Sequence, residues 1–271
     1  MKKINISIII IVLLSLFSCL EEVDLTLKVQ DEARLVVEGM ITTDTTAHKV
    51  MLTKTGNYFS QKPAEKVSGA EVMITDDLGN FFYLGETEPG IYKTGTCVYG
   101  VIGRTYQLSI NYDGETYSAK STMMRVPVID SLGYEWNPLR EQYTVLLYGQ
   151  EPEGKGDYYL WHVYKNGKHV TDTIDKVLFT DDELFDGNYI MGIEIDHWYY
   201  RYDIQKSDTV TIDTHSITED AYLFFIGMYY ESAFSGGPFD TPPANIKGNI
   251  SNNAAGLFMA SAINRKTIII E

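Results

Sequence analysis

The run Tyr106-Gln107-Leu108-Ser109-Ile110-Asn111-Tyr112-Asp113-Gly114-Glu115-Thr116-Tyr117-Ser118-Ala119-Lys120-Ser121-Thr122-Met123 decides the fold class. Asp-Gly between two strand-prone segments marks a two-residue hairpin turn, because both turn positions need positive φ and these residues tolerate it. Such a turn fixes register and sets Ile110 opposite Tyr117 and Leu108 opposite Ala119. Upstream, Ala70, Val72 and Ile74 alternate with Glu71, Met73 and Thr75, the period of a half-buried strand. Asp77-Leu78-Gly79-Asn80 turns the chain back through Phe81–Leu84, and Leu35–Ile41, Lys49–Thr53 and Gly90-Ile91-Tyr92 supply further strands. Short strands at this spacing predict an immunoglobulin-like β-sandwich over residues 34–125.

Arg125–Ser131 reads as a junction to a second, β-rich domain over residues 126–271. Strands are expected at Ser131–Trp136, Tyr143–Gly149, Tyr158–Lys165, Tyr189–Tyr202 and Thr209–Thr214, then at Leu257–Ile263 and Thr267–Ile270. Asn166-Gly167 makes a second hairpin and opposes His169 to Tyr164. Ser216-Ile217-Thr218-Glu219 has the form of a capping box with Ser216 as the cap, opening a helix near residues 217–232. Ile217, Ala221, Phe224, Phe225 and Met228 recur at helical spacing and would face the core. The fold class expected is mainly β: a sandwich, then a second β-rich domain carrying one helix.

Composition agrees with a packed globular chain: 271 residues, 44% hydrophobic and 22% charged, with 20 tyrosines favouring strands. The formal net charge of −15 argues against nucleic acid, whose phosphates require Lys and Arg. Lys2 and Lys3 precede an apolar run, Ile4–Phe17, that is too short to span a bilayer and fits a signal-peptide core. It ends in Leu16-Phe17-Ser18-Cys19, a lipobox pattern. Residues 1–18 then read as a lipoprotein signal, Cys19 as the lipidated residue, and 19–33 as an acidic tether. With Cys19 lipidated, Cys97 has no intramolecular partner and reads as a small buried hydrophobe.

The recurrent catalytic signatures are absent: no G-x-S-x-G elbow, H-E-x-x-H, C-x-x-C pair, P-loop or dinucleotide fingerprint. His162 lies diagonal to His169 across the second hairpin, roughly 7–8 Å apart at the backbone, where a metal with an added carboxylate is conceivable. Asp181, Asp182, Glu183 and Asp186 offer oxygen ligands, but not at EF-hand spacing, and a solvated acidic turn is the preferred reading. No catalytic residue, metal or cofactor is therefore expected. In His197–Tyr202, Trp198, Tyr200 and Tyr202 share one strand face and are of the residue types that dominate binding hot spots.

One further segment is distinctive: Gly236-Gly237-Pro238-Phe239-Asp240-Thr241-Pro242-Pro243-Ala244-Asn245-Ile246-Lys247-Gly248-Asn249-Ile250. Its glycines and prolines forbid ordinary helix, while Phe239, Ile246 and Ile250 would anchor it as an ordered loop. Together with Gly256–Ala260, Asp186-Gly187-Asn188, Asp208–Ile212 and the lipoprotein signal, it resembles a Bacteroidota outer-membrane lipoprotein family, domain of unknown function 4249. Val37-Glu38-Gly39-Met40-Ile41, Ser68–Ile74 and Gly90-Ile91-Tyr92 are similar to carboxypeptidase-regulatory-like modules. The acidic residues after Cys19 (Glu21, Glu22 and Asp24) resemble the export signal of surface-displayed lipoproteins. The resemblance implies outer-membrane anchoring through the lipid on Cys19 and a TonB-dependent outer-membrane transporter as partner, with the chain as a non-catalytic accessory in nutrient uptake. Trp198, Tyr200, Tyr202, Phe239, Asn245 and Asn249 are the candidate ligand or partner contacts. The alternatives are an adhesive surface protein gripping glycans or proteins, and a metal-dependent hydrolase built on His162, His169 and acids.

Overall fold

The structure is a computed structural model that describes residues 33–56, 62–195, 202–233 and 246–271. Its first hairpin joins β6 (Thr105–Tyr112) to β7 (Glu115–Thr122) and pairs Ile110 with Tyr117 and Leu108 with Ala119, as the Asp-Gly turn requires. Asp113 and Gly114 sit at φ 52 and 78, the left-handed values of that turn. The strands before it are β1 (Leu35–Thr42), β2 (Lys49–Lys54), β3 (Glu71–Asp76), β4 (Phe81–Glu88) and β5 (Ile91–Lys93). Val37, Val50, Leu52, Ile74, Leu108 and Ile110 point inward and are fully buried, because alternate residues of each strand share one face.

The remaining strands are β8 (Val128–Asn137), β9 (Gln142–Gln150), β10 (Tyr158–Lys165), β11 (Lys168–His169), β12 (Leu178–Asp181), β13 (Tyr189–Ile195) and β14 (Thr209–Ile217). The helix α1 (Glu219–Ala233) follows, then β15 (Ala255–Ser261) and β16 (Ile263–Ile269). Among the described residues they form a curled eight-stranded sheet (β15-β1-β2-β5-β4-β3-β6-β7), a five-stranded sheet (β11-β10-β14-β16, with β12 also on β10) and a three-stranded sheet (β13-β9-β8). The mainly β architecture, with one α-helix among the described residues, agrees with the sequence. Val145 and Leu147 of the small sheet pack against Tyr159, Trp161, Val163, Val210 and Ile212 of the five-stranded one, forming a second core.

The line between the two β-rich parts is not a single cut at residue 125. β15 pairs in parallel with β1, so the first sheet is completed by a strand from the far end of the chain. The two edges of that sheet also meet, with Ala260 N donating to Ser121 Oγ at 2.9 Å. One residue later the chain is in the five-stranded sheet, where β16 pairs with β14. Ser216 ties this crossing down: its N–H donates to the Ala262 carbonyl, and its Oγ accepts from Ala262 N and donates to the Met124 carbonyl. Residues 33–271 accordingly form one compact unit.

That use of Ser216 corrects the capping assignment. Ser216 lies within β14, which runs to Ile217, and the cap is Thr218, whose Oγ1 accepts from Ala221 N at 3.4 Å. Ala221 is buried, and Phe224 and Phe225 pack with it against Leu160 and Leu257, as the helical spacing implied. Cys97 is a second correction, for it is exposed in the loop after β5 rather than buried. Among the described residues no helix is long and apolar enough to cross a membrane.

Candidate functional site

Of the expected contact residues, Cys19, Trp198, Tyr200, Phe239 and Asn245 lie outside the described residues. The other two are structural. Tyr202 is buried in the second core with its hydroxyl donating to the Lys176 carbonyl, so it does not face a partner. Asn249 works as a backbone surrogate: its Oδ1 accepts from Phe258 N at 2.9 Å and its Nδ2 donates to Phe258 O at 2.7 Å and Lys120 O at 3.2 Å. These bonds pin the segment against β15 and β7.

The neighbouring glycines serve the same packing. A Cβ on Gly248 would lie 1.8 Å from the Gly256 carbonyl oxygen, and one on Gly256, at φ +104, would lie 2.0 Å from the Val37 oxygen. Ile246 rests on α1 at Gly227, and Ile250 packs against the first core. This part of the motif is a staple holding β15 in the first sheet.

The structure does bring buried and half-buried ionisable groups together in two places near β10. In the first, the expected diagonal pair is real, with the His162 and His169 rings 4.8 Å apart. His215, from β14, joins them 4.6 Å from His162. His215 is buried, and His162 and His169 are half-buried rather than fully solvent-facing. Burial, reinforced by the other two histidines, holds His162 down to about 3, and burial holds His215 down to about 4, so both rings are neutral. Asp213, on the same face, is neutralised by Arg265, whose Nε and Nη2 reach its two oxygens at 2.6 and 2.7 Å. His215 Nδ1 bonds Ser261 Oγ at 3.0 Å, but Ser261 is completely buried, so this pair cannot meet a substrate.

The second place is a carboxylate cluster that sequence reasoning missed. Glu151 follows β9, Asp157 precedes β10 and Asp182 follows β12; they are 0%, 4% and 2% exposed. Among the described residues they are the group of potential metal ligands that converges, with one donor oxygen from each within 4.8 Å of the others. Asp182 accepts from the backbone N–H groups of Gly156 and Asp157. Asp157 accepts from Arg125 Nε at 2.7 Å, and the same guanidinium donates to Gly154 O. Tyr159 donates its hydroxyl to Glu151 Oε1 at 2.8 Å, while Glu151 Oε2 is buried without a hydrogen-bond partner. Burial pushes the Glu151 carboxyl up to about 7 against the pull of Tyr159, and burial also raises Asp157 despite Arg125. Of the acidic loop noted in the sequence, Asp182 alone enters this cluster, and Asp186 instead accepts from Gly154 N.

The family described as Domain of unknown function (DUF4249) matches residues 21–267. The chain belongs to this family. Within the DUF4249 match lie both buried clusters and the Asn249 staple. None of the curated proteins searched matches the chain. A solved structure with some likeness is a DUF4785 family protein from Legionella pneumophila, 9% identical, with a TM-score of 0.24. The match covers 68% of this chain and 51% of that one, so it spans about half of that protein's length, and at this TM-score it carries no argument.

Proposed function

We propose that the chain is an outer-membrane lipoprotein, anchored through Cys19 and displayed at the cell surface, that serves a TonB-dependent transporter as a non-catalytic accessory or ligand-binding partner. The observation that carries this reading is the apolar run ending in Leu16-Phe17-Ser18-Cys19, two residues ahead of the family match at residue 21. Two further features support it. The enclosed His215–Ser261 pair gives no path to a substrate. Residues 33–271 fold as one compact unit in which β15 completes the first sheet. The test is capture of the tagged full-length protein from gently solubilised outer membrane. Enrichment of a barrel transporter is expected, with Cys19→Ser releasing the protein from the membrane. An unacylated chain by intact mass, or capture without any barrel, overturns the reading.

A second reading, surface adhesion, is favoured by one observation. Phe81 and Tyr83 stand on the outer face of β4, 62% and 71% exposed, with rings 5.7 Å apart. Exposed aromatic faces of this kind suit sugar rings. Binding of the isolated protein to a glycan array, lost in Phe81→Ala and Tyr83→Ala, would establish it.

A further inference from the structure

We propose that Glu151, Asp157 and Asp182 form a calcium site that clamps the two sheets of the C-terminal part together. Such a site does not depend on the transporter reading. Glu151 leaves the small sheet at the end of β9, whereas Asp157 and Asp182 flank β10 and β12 of the five-stranded sheet. An ion held by all three would cross-link the layers at the end where the chain passes between them.

Charge is the second point. Three carboxylates face one guanidinium, that of Arg125, so the fully ionised cluster carries two excess negative charges. Burying uncompensated charge is costly, and a divalent cation cancels this excess. The orphaned Glu151 Oε2 is a fully buried acceptor with no hydrogen-bond donor, in a carboxylate whose other oxygen accepts from the Tyr159 hydroxyl. Bound cation would supply the missing electrophile.

Donor type and frame select the ion. The three donor oxygens lie within 4.8 Å of one another, close enough to share one cation at the calcium–oxygen distance of about 2.3–2.6 Å. Every ligand is oxygen, which disfavours zinc and copper. The site is built from loop residues beside a guanidinium, an irregular frame that suits the variable coordination of calcium better than the strict octahedron of magnesium. The exposed Glu153 and Glu183 on the two flanking loops add to the attraction.

The experiment uses the full-length protein in detergent, stripped with chelator and titrated with calcium chloride by calorimetry. One calcium per chain is expected, with a Kd on the order of 10⁻⁴ M, the range of weak extracellular sites. Glu151→Gln keeps an acceptor for Tyr159 and should weaken binding at least about tenfold while abolishing the calcium-dependent rise in Tm. Terbium, a calcium mimic, should luminesce through Tyr159 in the wild-type protein and be displaced by calcium, which keeps the test valid if the variant fails to fold. Absence of stoichiometric calcium, calcium uptake unchanged in Glu151→Gln, or tighter binding of magnesium or zinc would each overturn the proposal. A missing transporter partner would leave these results untouched.

Discussion

Asp157, just ahead of β10, and His162, within it, stand five residues apart, yet the clusters around them solve the same problem in opposite ways. Burial favours the neutral form of every ionisable group. The histidine row satisfies this by losing protons, and its one obligatory charge, on Asp213, meets the Arg265 fork. The carboxylate cluster has fewer positive partners than charges, and Glu151 is forced toward neutrality instead. What the comparison teaches is that stoichiometry of counter-charge, more than burial, decides whether a buried polar cluster is complete.

The largest effect expected is on pH dependence, where the two clusters act with opposite sign. His162 and His215 titrate near 3 and 4 when folded and near 6.5 when unfolded. Between these values the unfolded chain binds more protons, so stability falls as pH drops below 6.5. Glu151 titrates near 7 when folded and near 4.5 when unfolded, so there the folded chain binds the extra proton and acidification from 7 to 4.5 stabilises. In calcium-free buffer between pH 7 and pH 5, Glu151→Gln should lose about 4 kcal/mol and the wild type only about 2 kcal/mol, read by urea unfolding. Equal slopes in the two proteins would erase the contrast.

Next in size is Arg265→Ala, which strands Asp213. The cost expected is about 2–3 kcal/mol, below that of a wholly buried pair because the guanidinium is half exposed. Adding Asp213→Asn to that variant should recover much of the loss. At pH 8 without calcium the carboxylate cluster should respond in the reverse direction: Glu151→Gln should stabilise by about 1–2 kcal/mol, since it removes an excess charge rather than a matched one. Smallest is Lys176→Ala, which breaks the solvent-exposed pair with Asp172 beside the histidine row. It should change stability by less than about 0.5 kcal/mol, showing that charge in water is cheap where charge in the interior is not.

Legibility in the sequence followed the same division between local and distant causes. The Asp113-Gly114 and Asn166-Gly167 hairpins were readable down to residue pairs, because two adjacent residues fix a turn and the turn fixes register. The helix was readable from its apolar spacing, but its cap was not. Ser216 and Thr218 are both good caps in isolation, and the Met124 and Ala262 backbone groups that claim Ser216 are distant in sequence. Asn249 could be flagged as unusual, yet its partners Lys120 and Phe258 come from different parts of the chain.

By itself the sequence determined the strand-rich class, the turns and the family, since all three depend on neighbours within a few residues or on one contiguous pattern. Tertiary structure alone decided that β15 would complete the first sheet and that Tyr202 would be core. It also decided that Glu151, Asp157 and Asp182 would share a buried space. The reason is physical: burial, counter-charge and hydrogen-bond partnership are properties of a place in the packed molecule, and no spacing along the chain encodes which strand ends will meet there.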